Sequence, residues 1–433
     1  MIERKAKVTV NEWITHGNDA FLLTGARQIG KTYLIRQCLK ESGYPYIEFN
    51  FIEQPELVNL FAGAKDAKEL LMRLSVVAKE PLEQGKTIIF LDEIQEFKDI
   101  VTRIKFLVED GTFRYIMSGS LLGVELNDLR SAPVGYLEIY DMYPLDFKEF
   151  VRAAGLKNDV ILMLEDHFKK RNPVDDFIHS KMLDLFYLYL IVGGMPEAVN
   201  NFVENELDIL KFDEHIISDI KDMYIADMQK YVKNSIETVK IEKVYKSIPS
   251  QLAKENKNFK YNFIEENGRK RKYESSIDWL VASKMILIDY NTKRIEIPLK
   301  VYIDENTFKL YLSDVGILTN MSEIRFPDII LDNSFIYKGA ITENYVAEEL
   351  TSKEESLYYW TSKRNAEIDF VLYSQEDGII PIEVKSGNNV KSVSLNMYIN
   401  EYKPKYAIRF STRNFGFENN IKSIPLYAVF CIK

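Results

Sequence analysis

Gly25-Ala26-Arg27-Gln28-Ile29-Gly30-Lys31-Thr32 fills every fixed position of a G-x-x-x-x-G-K-[ST] loop, between the apolar run Phe21-Leu22-Leu23 and a helical run from Tyr33 to Leu39. A strand that turns through glycines into a helix N-terminus presents backbone N–H groups to an anion. Gly25 and Gly30 let the backbone wrap with those groups inward, Lys31 sets a point charge on the outer phosphates, and the Thr32 hydroxyl can join a Mg²⁺ shell. The loop therefore predicts a site for ATP with Mg²⁺. Its expected contacts are Gly25, Ala26, Arg27, Gln28, Ile29, Gly30, Lys31, Thr32 and Tyr33.

Such a loop needs a second apolar strand that ends in acid. Thr87-Ile88-Ile89-Phe90-Leu91-Asp92-Glu93 follows a Gly85-Lys86 turn and supplies one. Asp92 is expected to hold Mg²⁺ through water, and Glu93 to polarise the water that attacks the γ-phosphate. Further strands are expected at Tyr44 to Phe51 and at Phe113 to Met117, with a helix at Lys98 to Glu109. The result is an open parallel α/β sheet with its chemistry at the strand C-termini. Ser118 or Ser120 stands where a polar side chain would read the γ-phosphate, and a simple Ser-Gly turn is the alternative.

Composition bounds the rest. A chain of 433 residues, 46% hydrophobic, can bury several cores, so two to four domains are expected. No apolar window is long enough to span a bilayer and no apolar signal core follows Met1-Ile2-Glu3-Arg4-Lys5, so we expect a cytoplasmic protein that makes no use of membrane. Cys38 and Cys431 have no disulfide or metal spacing and are expected as buried thiols. His16, His167, His179 and His215 are scattered, so no histidine metal site is expected. A formal charge of −9 argues against a wholly basic nucleic-acid coat and leaves room for a local patch.

Several strings together resemble the AAA-type ATP-binding proteins of bacteria and archaea whose C-terminal half is a conserved region of unknown function. They are the loop from Thr24 to Thr32, Leu91-Asp92-Glu93-Ile94-Gln95, Ser118-Gly119-Ser120-Leu121-Leu122, Tyr143-Pro144-Leu145-Asp146-Phe147-Lys148-Glu149-Phe150 and Gly193-Gly194-Met195-Pro196-Glu197-Ala198. The likeness runs nearly end to end. One position departs from it: after Pro133-Val134-Gly135 relatives tend to carry a basic residue, and here it is Tyr136. Arg114 and Arg130 are candidate arginine fingers, which would act across a homo-oligomer.

The resemblance and the periodicities divide the chain into an ATPase core over 1–150, a helical lid over 151–219, a winged-helix-like domain over 220–325 and a restriction-endonuclease-like α/β domain over 326–433. In the third segment, helices at Ile241 to Lys254 and Tyr273 to Ser283 precede strands at Met285 to Tyr290 and Phe308 to Leu312. The basic run Gly268-Arg269-Lys270-Arg271-Lys272 offers phosphate contacts, diluted by Glu265, Glu266 and Glu274. Gly193-Gly194-Met195-Pro196 reads as an architectural break between helices.

In the last segment Glu343, Asp369 and Glu383-Val384-Lys385 fit the metal-dependent nuclease pattern PD-(D/E)xK: a helical Glu, an Asp on one strand, and Glu-x-Lys on the next. Residues 368–373 and 379–385 read as a hairpin across Glu376-Asp377-Gly378, and Glu383 and Lys385 share a face. Asp369, Glu383 and Glu343 are the expected Mg²⁺ ligands, Lys385 the residue that orients water, and Glu367 a further candidate ligand. Taken alone, Ile382-Glu383-Val384-Lys385 is an ordinary amphipathic strand. Two functions follow. The first is an ATP-hydrolysing enzyme acting on DNA, with Asp369, Glu383 and Lys385 cleaving phosphodiesters. The second is a nucleotide-switched regulatory ATPase that binds DNA or a protein partner and cleaves nothing.

Overall fold

Continuous apolar runs such as Ala20–Thr24 and Ile88–Asp92 are buried along their whole length, as parallel strands covered on both faces must be. The computed structural model describes residues 2–78, 81–97, 99–120, 135–232, 234–331, 337–362, 366–388 and 392–432. Its contacts fall into two units, one of residues 3–143 with 282–284, the other of residues 1–2, 144–281 and 285–433.

The first unit is built on five parallel strands: β1 Ala20–Thr24, β2 Tyr46–Asn50, β3 Ile88–Asp92, β4 Arg114–Ser118 and β5 Leu137–Asp141, ordered β2-β3-β4-β1-β5. Helix Lys31–Ser42 leaves directly from the loop after β1. Register decides what meets at the sheet edge. Asn50 is opposite Asp92, Leu91 opposite Met117 and Leu23 opposite Ser118, so the C-termini of β1 to β4 end together. A core centred on Phe49, Phe51, Phe61 and Phe97, with ring centroids 5.4 to 6.4 Å apart, fixes the flanking helices.

In the second unit, the helices Phe147–Ala153, Asp176–Val192 and Lys338–Thr351 share one aromatic seam. Phe147 lies 5.6 Å from Tyr189 and 6.3 Å from Tyr345 between ring centroids. Buried acids tie the seam: the Phe147 amide donates to Glu349 at 2.6 Å, and the Tyr189 hydroxyl donates to Glu348 at 2.8 Å. The segment expected as a lid thus clusters with the C-terminal half of the chain.

Helices Ser235–Leu252 and Lys270–Ala282 are followed by the antiparallel strands β6 Ile286–Thr292 and β7 Ile303–Leu312. This pair does not stand apart. Strand β6 also pairs in parallel with β8 Leu357–Thr361, which pairs with β9 Glu367–Ile368, giving a sheet ordered β7-β6-β8-β9. A boundary at 325 therefore passes through the connection of one sheet. The chain then changes sheets at Asp369. Strands β10 Phe370–Ser374, β11 Gly378–Val384, β12 Ala407–Ser411, β13 Gly416–Glu418 and β14 Ile421–Pro425 form a second sheet, ordered β10-β11-β12-β14-β13.

Gly194 shows why the Gly-Gly-Met-Pro break is architectural. Its carbonyl accepts from the Leu145 amide at 2.7 Å, its amide donates to the buried Asp314 at 2.7 Å, and a Cβ there would land on the Leu145 carbonyl. Gly194→Ala is expected to destabilise this unit by about 2 kcal/mol, because overpacking against fixed backbone outweighs the smaller entropy gain of Gly→Ala. Chemical denaturation checks this, and an unchanged midpoint would refute it. Cys38 and Cys431 are both buried and unbridged. Among the described residues, no helix is long and apolar enough to cross a membrane.

Candidate functional site

The loop after β1 is held in a wrapped form by contacts of its own. Gly25 has φ +140°, and a Cβ would strike the Met142 carbonyl, so glycine is required there. Lys31 begins the helix and folds back, its ammonium donating to the Gly25 and Ala26 carbonyls at 3.0 and 2.7 Å. It is only 7% exposed, and it already lies across the loop that is to receive phosphate.

Asp92 is the hub. The Thr32 hydroxyl donates to its Oδ1 at 2.9 Å, the Ser118 hydroxyl donates to the same oxygen, and Asn50 Nδ2 donates to Oδ2 at 2.8 Å. Burial pushes the Asp92 carboxyl above its ordinary value, Glu93 and Glu48 add to that, and the hydroxyl donors oppose it. A buried carboxylate beside a threonine hydroxyl is an oxygen donor set suited to a hard divalent cation. Thr32 and Asp92 fit Mg²⁺ on that ground.

Glu93 follows with φ 56° and ψ 45°, a left-handed conformation that a non-glycine residue adopts at some cost. Gln95 donates to its Oε2 at 2.5 Å and accepts from the Ser120 amide at 3.2 Å, tying the expected base to the end of β4. Ser118 thus lies on Asp92, and Ser120 on Gln95. Arg114 is committed within the chain: it donates to the Ile14 carbonyl at 2.6 Å and stacks 4.8 Å from the Tyr44 ring centroid. Arg130 lies outside the described residues. Tyr136 donates to Glu109 at 2.7 Å.

Sequence reading gave no role to Asn50 or Gln95. Both carried a signal: Asn50 is a polar residue closing the strand Tyr46–Asn50, and Gln95 stands two places beyond the acidic pair.

In the second unit the C-terminal constellation is only partly drawn together. One oxygen each from Glu343, Glu367 and Asp369 lie within 4.8 Å of one another. Glu343 projects from the helix Lys338–Thr351, Glu367 ends the first sheet, and Asp369 sits where the chain crosses to the second. Asp369 Oδ2 accepts from the Val384 amide at 2.7 Å, which ties it to the Glu383-Val384-Lys385 strand. Glu383 itself faces other partners. Its carboxylate is 3.1 Å from Lys385 and 3.7 Å from Arg409, the residue opposite it on β12, and it is not among the three clustered acids.

The cluster holds groups that sequence reading passed over. Lys309 is fully buried, 2.9 Å from Glu343 and 2.6 Å from Glu367. Tyr311 donates to Glu343 at 2.5 Å, and Lys257 pairs with the other Glu343 oxygen. Burial opposes ionisation of Glu343, but Lys257 and Lys309 outweigh it and hold the carboxyl at about 2. Burial, with Glu343 adding to it, pushes Asp369 up to about 7. A lone lysine inside the apolar strand Phe308-Lys309-Leu310 was the available clue.

Strand order, loop and acidic hub together define the first unit as an AAA-type P-loop ATPase domain. In agreement, residues 17–151 match a protein family described as an AAA domain. Residues 183–328 and 338–429 match two families described as domains of unknown function, DUF8612 and DUF4143. Among curated proteins none matches the chain. Among solved structures the chain is similar to a Walker-type ATPase of Pyrococcus abyssi, at 14% identity and TM-score 0.44, over 74% of this chain and 96% of that one. It is also similar to the Aeropyrum pernix ORC1 protein solved in complex with DNA, at 13% identity and TM-score 0.29, over 75% of this chain and 93% of that one.

Proposed function

We propose that the chain hydrolyses ATP in its first unit and uses the cycle to act on DNA through a Mg²⁺-dependent nuclease-like region in its second. Nucleotide binding falls to residues 25–33 with Asp92 and Ser118. Lys31 moves from the Gly25 and Ala26 carbonyls to the β- and γ-phosphates, and Thr32 and, through water, Asp92 would hold Mg²⁺. Glu93 leaves Gln95 and accepts a proton from the water that attacks the γ-phosphorus, while the bond to the bridging oxygen breaks and ADP leaves. Bound Mg²⁺ offsets phosphate charge.

One observation carries the nuclease-like reading. Asp369 at once approaches Glu343 of the helix and accepts from the amide between Glu383 and Lys385, so the separated parts of the motif converge on one residue. In this reading Asp369, Glu383 and Glu343 serve Mg²⁺, and Lys385 orients water. The helix-helix-hairpin over 235–312 is read as winged-helix-like and DNA-facing. Arg269 and Arg271 are exposed beside it, whereas Lys270 and Lys272 are engaged with Glu274 and Glu265.

The test is Mg²⁺-dependent cleavage of single- and double-stranded DNA, with and without ATP. Asp369→Ala/Lys385→Ala protein is expected to lose activity by at least about 10²-fold. Cleavage that persists in this variant would sink the assignment. The pairing of Glu383 with Lys385 and Arg409 favours a second reading, in which the region binds DNA or a protein partner under nucleotide control and cleaves nothing. ATP binding without cleavage by the wild type, under any condition, selects that reading.

A further inference from the structure

The carboxylates of the second unit are out of balance with their cations. Glu343, Glu367 and Asp369 cluster within 4.8 Å, and Asp289 of β6 lies directly opposite Lys309 of β7. Directly opposed residues of an antiparallel pair project to the same face. Asp289 is 0% exposed, neither of its oxygens has a hydrogen-bond partner, and its field is shared with Lys309, Glu343, Glu367 and Asp369. Four carboxylates thus face two ammonium groups, those of Lys309 and Lys257. Burying a carboxyl that has no partner is costly, and a cation among these acids would offset that cost.

The spacing suits such an ion. Hard cations sit about 2.0 to 2.6 Å from carboxylate oxygens, so ligands to one ion lie within about 5 Å of one another. The three clustered acids meet that limit.

We infer that Glu367 joins Glu343 and Asp369 in holding the divalent cation of the second unit, with the Asp289 carboxylate and Lys309 ammonium of the β6–β7 hairpin completing the site. The site is therefore composite, drawing on a hairpin that precedes the nuclease-like segment in the chain. Asp289 and Lys309 are positioning residues: one adds negative charge behind the ligands, and the other holds Glu343 and Glu367 together. The inference rests on the nuclease-like reading for the cation's task, while its test reads binding alone.

Nucleotide-free full-length protein is titrated with Mn²⁺ by calorimetry. Wild type is expected to bind. Glu367→Gln, which removes a ligand, should weaken binding roughly 100-fold, and Asp289→Asn roughly tenfold as an outer-shell change. Metal-free Asp289→Asn protein should melt no lower than wild type, since it loses a buried carboxylate that has no partner. That melt separates loss of a site from loss of the fold. The inference is overturned if wild type binds no Mn²⁺, or if Asp289→Asn and Glu367→Gln bind as wild type does. Cleavage that depends on Asp369 and Lys385, with Mn²⁺ binding indifferent to Asp289 and Glu367, removes this site and leaves the nuclease reading intact. Binding with the expected variant pattern but no DNA cleavage does the reverse.

Discussion

Lys31→Ala protein is expected to turn over ATP at least about 10³-fold more slowly than wild type, since a preorganised charge aimed at the reacting phosphate is lost. The geometry makes this the sharpest change available in the first unit. The ammonium already lies within 3.0 Å of two loop carbonyls, so its stem reaches across the phosphate-binding turn without rearrangement of the helix that bears it. Alanine removes the charge and leaves the glycine-built wrap in place. Affinity for ATP should fall with turnover, because a charged hydrogen bond to phosphate contributes about 1.5 to 3 kcal/mol. Steady-state phosphate release and a fluorescent-nucleotide titration check both. Under the proposed division of labour, Mg²⁺-dependent DNA cleavage stays detectable in this protein. Unchanged turnover would remove the loop from the mechanism.

Glu93→Gln protein should separate binding from chemistry. Glutamine keeps the shape, the left-handed backbone and a partner in Gln95, but it cannot accept a proton from water. Loss of a general base lowers the rate by about 10² to 10⁴-fold. Affinity should stay within about threefold of wild type, because Glu93 is absent from the expected phosphate and Mg²⁺ contacts. The measurement is the same titration paired with single-turnover hydrolysis. If affinity falls together with rate, Glu93 is a binding residue; if neither moves, another base operates. The pair of variants thus distinguishes a residue that holds phosphate from one that moves a proton.

The first unit was legible because its chemistry is local. Eight consecutive residues set the loop, and one apolar strand sets its acidic partner, so period and punctuation suffice. Asn50 and Gln95 were less visible because their roles depend on strand register and on a short turn after β3. The hairpin bearing Asp369 and Glu383 could be read from alternation and from the Gly378 turn. The gathering of Asp369 with Glu343 and Glu367, and of Lys309 with those two glutamates, could not. Those residues come from a helix, two strands and the point where the chain changes sheets, and no sequence period records which side chains converge there. The same cause hid the sheet that links β6 with β8. Parallel pairing leaves no short-range signature, because its partners are joined by a long crossover.

That β6–β8 ladder bears on inheritance. The two regions of unknown function meet family boundaries at 328 and 338, as though each were a separable cassette. Yet a gene severed between them leaves β8 without its parallel neighbour, and a bare strand edge adheres to other chains. Recombination that delivered one region to a new ATPase would deliver a sticky half-sheet. The two regions are therefore expected to fold as one block.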